Sequence, residues 1–273
     1  MKFYRDITLG QYMPMGSIVH RVEADAKIIE LIALLITIFL VHEITPLVLV
    51  FFFSIWVVRQ SGLPLKYVLR GIKPFIWFFL FIIFIHLLVV PGRPILPLRV
   101  AFMDMAYAGL REGVLISFQV ALSIIFSSIL TLTTSPKELA KGFFRLLSPL
   151  RIFRVPVDDI AIMVMISMRY IPVFLQEVER ITKAQRARGG YFDGGGLLGR
   201  AKMVLPIVVP LITNSLRRAH GIADALAARG YGEDTRWPPR YGEGLGWEGC
   251  FSMAITGGVI GLVMLLSVFS EFL

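Results

Sequence analysis

The run from Cys250 to Ser270 contains 21 residues without one charged side chain. An apolar stretch of about 20 residues is what an α-helix needs to cross the hydrocarbon core of a bilayer. The composition agrees, because 56% of the 273 residues are hydrophobic and only 17% are charged, whereas soluble domains carry about 25% charged residues. These features argue against a soluble domain and predict a protein that spans a membrane.

Four further apolar segments lie in the first half of the chain. They are Ile28–Val41, Ile44–Val58, Pro74–Val90 and Val114–Leu132. His42, Glu43 and Pro46 lie where the first two meet, which indicates a tight helical hairpin. Glu30 is the one charge inside the first segment, and we place it at the membrane interface, where its cost is low. The sequence thus predicts an all-α, polytopic membrane protein with about five transmembrane helices.

The distribution of positive charge predicts the orientation. The segment Arg59–Lys73 has four basic and no acidic residues, which favours the cytoplasmic side, whereas Pro91–Glu112 has a net charge of only +1. Alternation then assigns residues 1–135 to N-terminal membrane helices, 136–249 to a cytoplasmic region and 250–273 to a C-terminal transmembrane helix. Basic residues on the cytoplasmic side of the spans thereby explain the net charge of +9, and binding to nucleic acid is not needed to explain it.

Two long helices are predicted in the cytoplasmic region, Asp158–Arg188 and Leu197–Arg229, with bends at their internal prolines. The glycine-rich segment 189–196 separates them. The second helix has a stripe of apolar and small residues at spacings of three and four, which favours close approach of another helix. The stripe consists of Ile212, Ser215, Leu216, Ala219, Ile222, Ala223 and Leu226.

Both long helices end in the same three residues. Ala187, Arg188 and Gly189 close the first, and Ala228, Arg229 and Gly230 close the second, 229 − 188 = 41 residues later. One interpretation is helix capping, with glycine in a left-handed turn and arginine at the negative end of the helix dipole. The other is a pair of docking groups for a partner. The repetition favours docking.

Sites for chemistry are not indicated. Gly194–Gly199 has the glycine spacing of a dinucleotide-binding loop, but it follows a helix rather than a strand, and Arg200 and Ala201 replace the lysine and serine of a phosphate loop. Asp158 and Asp159 suit the positive end of a helix dipole. The four histidines have no neighbours at metal-ligand spacing, and Cys250 is the one cysteine. We therefore expect no cofactor, no metal site and no catalytic residues.

Several motifs resemble the transmembrane T component of energy-coupling factor (ECF) transporters, and the resemblance covers nearly the whole chain. The most specific match runs from Met168-Arg169-Tyr170-Ile171-Pro172 through Glu177 to Arg180 and on to Ala184-Gln185-Arg186-Ala187-Arg188-Gly189. Thr134-Ser135-Pro136 with Glu138-Leu139, Leu147 to Pro156, Leu9-Gly10-Gln11-Tyr12 and Ser17-Ile18-Val19-His20-Arg21 are also similar. Where the family usually has Leu-Asp-Pro-Arg before a lysine, this chain has Val22-Glu23-Ala24-Asp25 before Lys27.

The resemblance implies a non-catalytic scaffold in the cell membrane. Two cytosolic ABC-type ATPase subunits would bind Ala187, Arg188, Gly189, Ala228, Arg229 and Gly230, and a separate small membrane protein, the S component, would bind the substrate. The two long helices would be coupling helices. The N-terminal motifs favour the group that shares one module among several vitamin-binding S components.

Three alternatives remain open at this point. The chain could serve a dedicated cobalt or nickel importer within the same family. It could be an integral membrane enzyme, such as a lipid-modifying transferase, which would need paired acids or histidines near a membrane face. It could also be a permease that binds its own substrate, which would need polar residues at mid-bilayer in several spans.

Overall fold

A computed structural model describes residues 13, 15–90, 107–188, 197–231 and 246–272. Within these residues the secondary structure consists of ten α-helices and two short 3₁₀ turns, Lys73–Phe75 and Ser148–Phe153. The α-helices are α1 (Ile18–Arg21), α2 (Ala24–Leu40), α3 (Ile44–Ser61), α4 (Leu65–Ile72), α5 (Ile76–Val89), α6 (Tyr107–Thr133), α7 (Pro136–Leu147), α8 (Val157–Ala187), α9 (Leu197–Ala227) and α10 (Trp247–Phe272). The predicted all-α fold class is confirmed.

The described residues form two compact units. The bundle unit contains residues 13–149 and 246–272, and the hairpin unit contains residues 150–231 with α8 and α9. The predicted division into 1–135, 136–249 and 250–273 refers to sides of the membrane and stays a prediction.

Four helical segments of the bundle unit are long and apolar enough to cross a membrane. They are Ile44–Ser61, Leu65–Val89, Ala108–Thr133 and Trp247–Phe269. These segments match four of the five predicted spans, of which Pro74–Val90 and Cys250–Ser270 each extend one residue further. The first predicted span lies in α2, which has 17 residues and carries Asp25, Lys27 and Glu30 in its first two turns.

Two of the charged connections are more helical than the sequence suggested. Gly62, with a φ of 68°, ends α3, and α4 then begins at Leu65, inside the basic segment Arg59–Lys73 that connects two predicted spans. Likewise, α6 begins at Tyr107, seven residues before the predicted start at Val114. The guanidinium of Arg111, in the first turns of α6, donates a hydrogen bond to the Glu43 carboxylate. This ion pair stabilises a charged side chain within the helix.

The core of the bundle unit contains a polar contact as well as apolar packing. Leu47, Val50, Leu122 and Val263 are fully buried. Beside them, the side-chain amide of Gln119 donates to the carbonyls of Ile38 at 2.9 Å and Val41 at 2.7 Å. These carbonyls lie at the C-terminal end of α2, where a helix leaves its last carbonyls without partners. In an apolar environment such a carbonyl is costly, so Gln119 stabilises the turn between α2 and α3.

The N-terminal end of α2 is fixed by charged side chains. Buried Asp25 accepts a hydrogen bond from Arg145 of α7 at 2.9 Å. Lys27 donates to the hydroxyl of Thr134 at 3.1 Å and to the carbonyl of Thr133 at 3.4 Å. A buried carboxylate or ammonium is tolerated where such partners are present. These contacts connect α2 to the end of α6 and to α7.

Candidate functional site

The two long helices of the hairpin unit match the predicted ones closely. Each of α8 and α9 has 31 residues, and their ends lie within two residues of the predicted ends. Pro156 precedes α8, and Asp158 and Asp159 lie in its first turn, where negative charge is favourable. Pro172, Pro206 and Pro210 are all inside helices.

Side-chain contacts show that α8 and α9 run antiparallel. In the contacting pairs, lower residue numbers in α8 go with higher residue numbers in α9 or just after it. The pairs are Gln185 with Pro206, Glu177 with Asn214, Tyr170 with Arg218, and Asp159 with Tyr231. The hairpin is therefore held together along most of its length.

The contact between Gln185 and Pro206 has a specific backbone cause. In an α-helix the carbonyl of residue 206 would accept from the N–H of residue 210, but residue 210 is proline and has no N–H. The side-chain amide of Gln185 donates to that carbonyl at 3.2 Å. A side chain of α8 thus supplies the hydrogen bond that Pro210 removes from α9.

A second contact joins the other end of the hairpin. The hydroxyl of Tyr231, four residues beyond the end of α9, donates to the carboxylate of Asp159 at 2.6 Å. This hydrogen bond raises the pKa of the Tyr231 hydroxyl, because losing the proton would place two negative charges side by side. Asp159 therefore has a hydrogen-bond partner that joins the start of α8 to the segment after α9.

Polar contacts also connect the middle of the two helices. Asn214 donates to the Glu177 carboxylate at 2.9 Å, and the guanidinium of Arg218 lies 6.0 Å from the centre of the Tyr170 ring. On the exposed face of α8, the ammonium of Lys183 donates to Glu179 and lowers the pKa of that carboxyl.

The second Ala-Arg-Gly sequence forms a regular helix C-terminus. Gly230 has a φ of 78°, and its N–H donates to the Ala227 carbonyl, while the N–H of Tyr231 donates to the Leu226 carbonyl. These two bonds define a Schellman motif with glycine in the left-handed position. Arg229 precedes that glycine, and its side chain is exposed.

The first Ala-Arg-Gly sequence also follows a helix end. α8 ends at Ala187, and the backbone N–H of Arg188 donates to the Ala184 carbonyl at 3.2 Å. The Arg188 side chain is exposed, and Gly189 lies outside the described residues. Within the described ranges, the side chains of Arg188 and Arg229 form no hydrogen bond or ion pair. Gly230 thus takes part in the backbone capping bonds, and the two arginine side chains contribute none of them.

The structure does not bring the two arginines together. Because the helices are antiparallel, Arg188 lies at one end of the hairpin, and Arg229 lies at the other end beside the Asp159 turn. Along α8, Arg188 and Asp159 are 188 − 159 = 29 residues apart, which corresponds to at most about 44 Å at 1.5 Å per residue. The two copies of the repeated sequence thus lie at opposite ends of the hairpin.

The predicted small-residue stripe is divided between two environments. Ser215 and Ile222 line a cavity of about 200 Å³ between α8 and α9, together with Tyr170 and Phe174. Other residues of α9 form an exposed apolar face, which we call the α9 face. It consists of Val204, Leu205, Val208, Val209, Ile212 and Leu216.

Residues outside the hairpin unit that could have carried chemistry have local partners. His86 bonds through Nδ1 with the carbonyl of Ile82, one turn earlier. Glu30 accepts from the Ser252 hydroxyl at 2.5 Å. The glycines at 194–196 lie outside the described residues.

Motif matching alone did not reveal the contacts between α8 and α9 that Gln185, Asn214, Arg218 and Tyr231 make. The one local signal was Pro210, four residues after Pro206, which indicates a backbone carbonyl in need of a donor. The identity of that donor depends on how the two helices pack.

Known proteins similar to this chain are membrane components of transporters. The family described as cobalt transport protein matches residues 15–238. The energy-coupling factor transporter transmembrane protein of Bacillus subtilis is 36% identical over 223 residues, covering 82% of this chain and 84% of that protein. Proteins with the same description from Heliobacterium modesticaldum and Lactococcus lactis are 37% and 35% identical, and they cover 98% and 96% of this chain and 99% and 97% of their own lengths.

Proposed function

The chain belongs to the family of energy-coupling factor transporter transmembrane proteins, the T components, and from this we propose that it couples ATP hydrolysis by two separate cytosolic ATPase subunits to substrate uptake by a small membrane S component. Membership in the family makes it a membrane component of a transporter. The partners, the cytoplasmic position of the hairpin unit and the plasma-membrane location are parts of the proposal.

The two exposed arginines carry the proposal for ATPase docking. A guanidinium stays charged at all physiological pH values and binds a carboxylate through two parallel hydrogen bonds. Arg188 and Arg229 each follow a helix end flanked by small residues, so the guanidinium can enter an acidic groove on a partner. In this proposal each end of the hairpin binds one ATPase through Ala187, Arg188 and Gly189 or through Ala228, Arg229 and Gly230.

The α9 face supports the proposal for an S component. Leu216 is 58% exposed and Leu205 is 57% exposed, and both lie on the same side of one helix. Contiguous exposed apolar surface of this kind is typical of an interface with another protein or with lipid. An S component that is itself a hydrophobic membrane protein would cover it.

The proposal for the class of transported substrate depends on sequence motifs. The motif Ser17–Arg21 favours the vitamin-transporting, shared-module group, and in the structure Ser17 and His20 form a hydrogen bond between Oγ and Nδ1 at 2.6 Å. A dedicated cobalt or nickel importer is the second candidate, which the description of the matching family favours. Sequencing the S components that copurify with the chain distinguishes the two.

Copurification from native membranes tests the docking proposal. The wild-type chain should bring down two ATPase subunits and a small hydrophobic membrane protein. The double variant Arg188→Glu/Arg229→Glu should lose the ATPases, because like charges would meet at both grooves. The Arg180→Glu/Arg217→Glu variant is a matched control, since it makes the same charge change at one exposed position of each helix, away from the ends. This control should retain the ATPases.

Two results would contradict the proposal. Wild-type yields of ATPase with Arg188→Glu/Arg229→Glu would show that the arginines only complete helix ends. Absence of any ATPase from the wild-type preparation, with the chain folded and inserted, would remove the coupling function itself.

A further inference from the structure

The bundle unit contains an apolar cavity of about 520 Å³ between α1, α2, α3 and α10. Two aromatic pairs form part of its walls. On α3, Phe53 stacks against Trp56 with ring centres 5.9 Å apart. On α10, Trp247 stacks against Phe251 with ring centres 6.4 Å apart. Val57 and Ile255 also line the cavity, so most of its surface is hydrocarbon.

The cavity opens on the outer surface of the bundle unit. Trp56 and Phe251 both line it, and they are 45% and 56% exposed on α3 and α10. Both helices are long and apolar enough to span a membrane, so an opening between them would face the bilayer. Two tryptophans at the opening fit this position, because tryptophan is enriched where the hydrocarbon core meets the headgroups.

Polar groups are concentrated at one end of the cavity. Gln60 near the end of α3, Glu248 at the start of α10 and Lys27 near the start of α2 line this end, together with Glu30 and Ser252. Arg21, which is exposed, lies 4.0 Å from the Glu248 carboxylate. Arginine next to the polar end provides a partner for phosphate, and the two carboxylates provide partners for an amine.

We propose that this cavity binds one acyl chain of a membrane phospholipid, with the headgroup at the end lined by Gln60 and Glu248. The aliphatic and aromatic walls offer water few hydrogen-bond partners, so water fills such a space poorly. An acyl chain matches the walls, and the adjacent bilayer supplies it. The volume is in the range of pockets that hold small ligands. The bound lipid would fill the space between α3 and α10 as a structural part of the bundle.

Lipid retention by the purified full-length chain tests this inference. After prolonged detergent washing, extraction and mass spectrometry should find about one phospholipid per wild-type chain. The variant Val57→Phe/Ile255→Phe adds two rings to the cavity walls and should lower retention about tenfold. The variant Val48→Phe/Leu262→Phe places equal bulk on exposed positions of the same helices and should retain the lipid. Thermal melting of each variant shows whether it is folded.

A second measurement needs no cavity-filling variant. A photoreactive benzoylphenylalanine at position 251, where Phe251 already places an aromatic ring at the opening, should form an adduct with phospholipid when the chain is illuminated in vesicles of phosphatidylethanolamine and phosphatidylglycerol. A crosslink to residues 1–12 or 232–245 of the same chain, or to a copurified protein, would overturn the inference in favour of a polypeptide occupant. Retention of only free fatty acid or detergent, or equal retention by Val57→Phe/Ile255→Phe, would also overturn it.

Discussion

Arg188 and Arg229 are exposed side chains at two helix ends, and each should contribute separately to docking. Removing one partner of a buried charged pair costs about 2–5 kcal/mol, because the opposite charge is left without a partner. Arg188→Ala alone should therefore weaken one ATPase site and reduce transport, and Arg229→Ala should do the same at the other. Binding of each purified ATPase to the variants, measured by titration, checks this prediction.

The alternative at this scale is a purely local effect. If the arginines act only on the helix dipole, each alanine variant would lose about 0.3–1 kcal/mol of stability and would bind ATPase like the wild type. A variant that melts at the same temperature as the wild type but binds ATPase weakly separates docking from capping.

Gln185 and Pro210 should show coupled effects on stability. Gln185→Ala removes the donor to the Pro206 carbonyl and should cost about 0.5–1.5 kcal/mol. In a Pro210→Ala background the new N–H of residue 210 can bond to that carbonyl within α9, so Gln185→Ala should cost less there. The four proteins of this double-mutant cycle are compared by thermal unfolding in detergent. Equal costs in both backgrounds would show that the Gln185 bond contributes nothing.

At the scale of elements, close contact between α5 and α6 depends on two glycines. A Cβ atom at Gly109 would lie 2.1 Å from the His86 carbonyl oxygen, and one at Gly113 would lie 2.9 Å from the Ile83 Cα. The spacing Gly-x-x-x-Gly is typical of membrane helices in close contact. Gly109→Val should separate α5 from α6 and destabilise the bundle unit by about 1–3 kcal/mol or more.

Gly257 provides a matched control for that experiment. It lies within α10, and a Cβ there would have no atom within 4 Å. Gly257→Val should therefore leave the melting temperature nearly unchanged, because it alters only local helix propensity. A similar loss in both variants would mean that valine itself, and not the contact with α5, is responsible.

The sequence predicted α8 and α9 well because their boundaries have local causes. Pro156 with two aspartates begins α8, and glycine follows both Ala-Arg pairs. It also located the four apolar spans that the structure contains. The sequence did not predict α4, and it placed the start of the α6 span too late, because charged residues stop a hydrophobic run without stopping a helix. Arg111 is in α6 and is satisfied by Glu43, which lies 68 residues away in the chain.

The contacts within the hairpin unit could not be predicted from the sequence. The sequence identified Arg188 and Arg229 as candidates, but their positions at opposite ends follow from antiparallel packing. That packing depends on pairs such as Asp159 with Tyr231, which are 72 residues apart. Neither residue has a local pattern that identifies the other as its partner.

At the scale of the whole molecule, the charge distribution predicts which side each segment occupies. The segment Arg59–Lys73 should lie in the cytoplasm, and Leu273 should lie outside. A reporter that is active only after export should therefore be active when fused after Leu273 and inactive when inserted after Gly62. The opposite pattern, or the same reporter activity at both positions, would contradict the arrangement.

The antiparallel course of α8 and α9 gives the hairpin unit an approximate two-fold axis. A rotation of 180° about a line across the middle of the hairpin, near Glu177 and Asn214, would exchange the two helices and bring the end that carries Arg188 near the end that carries Arg229. One chain without internal symmetry thereby presents the same group twice, in positions related as the two subunits of a symmetric dimer are related. Two partner subunits that pair around a two-fold axis can bind both ends of the hairpin at once. A change in the distance between those two subunits would then displace α8 and α9 in opposite directions.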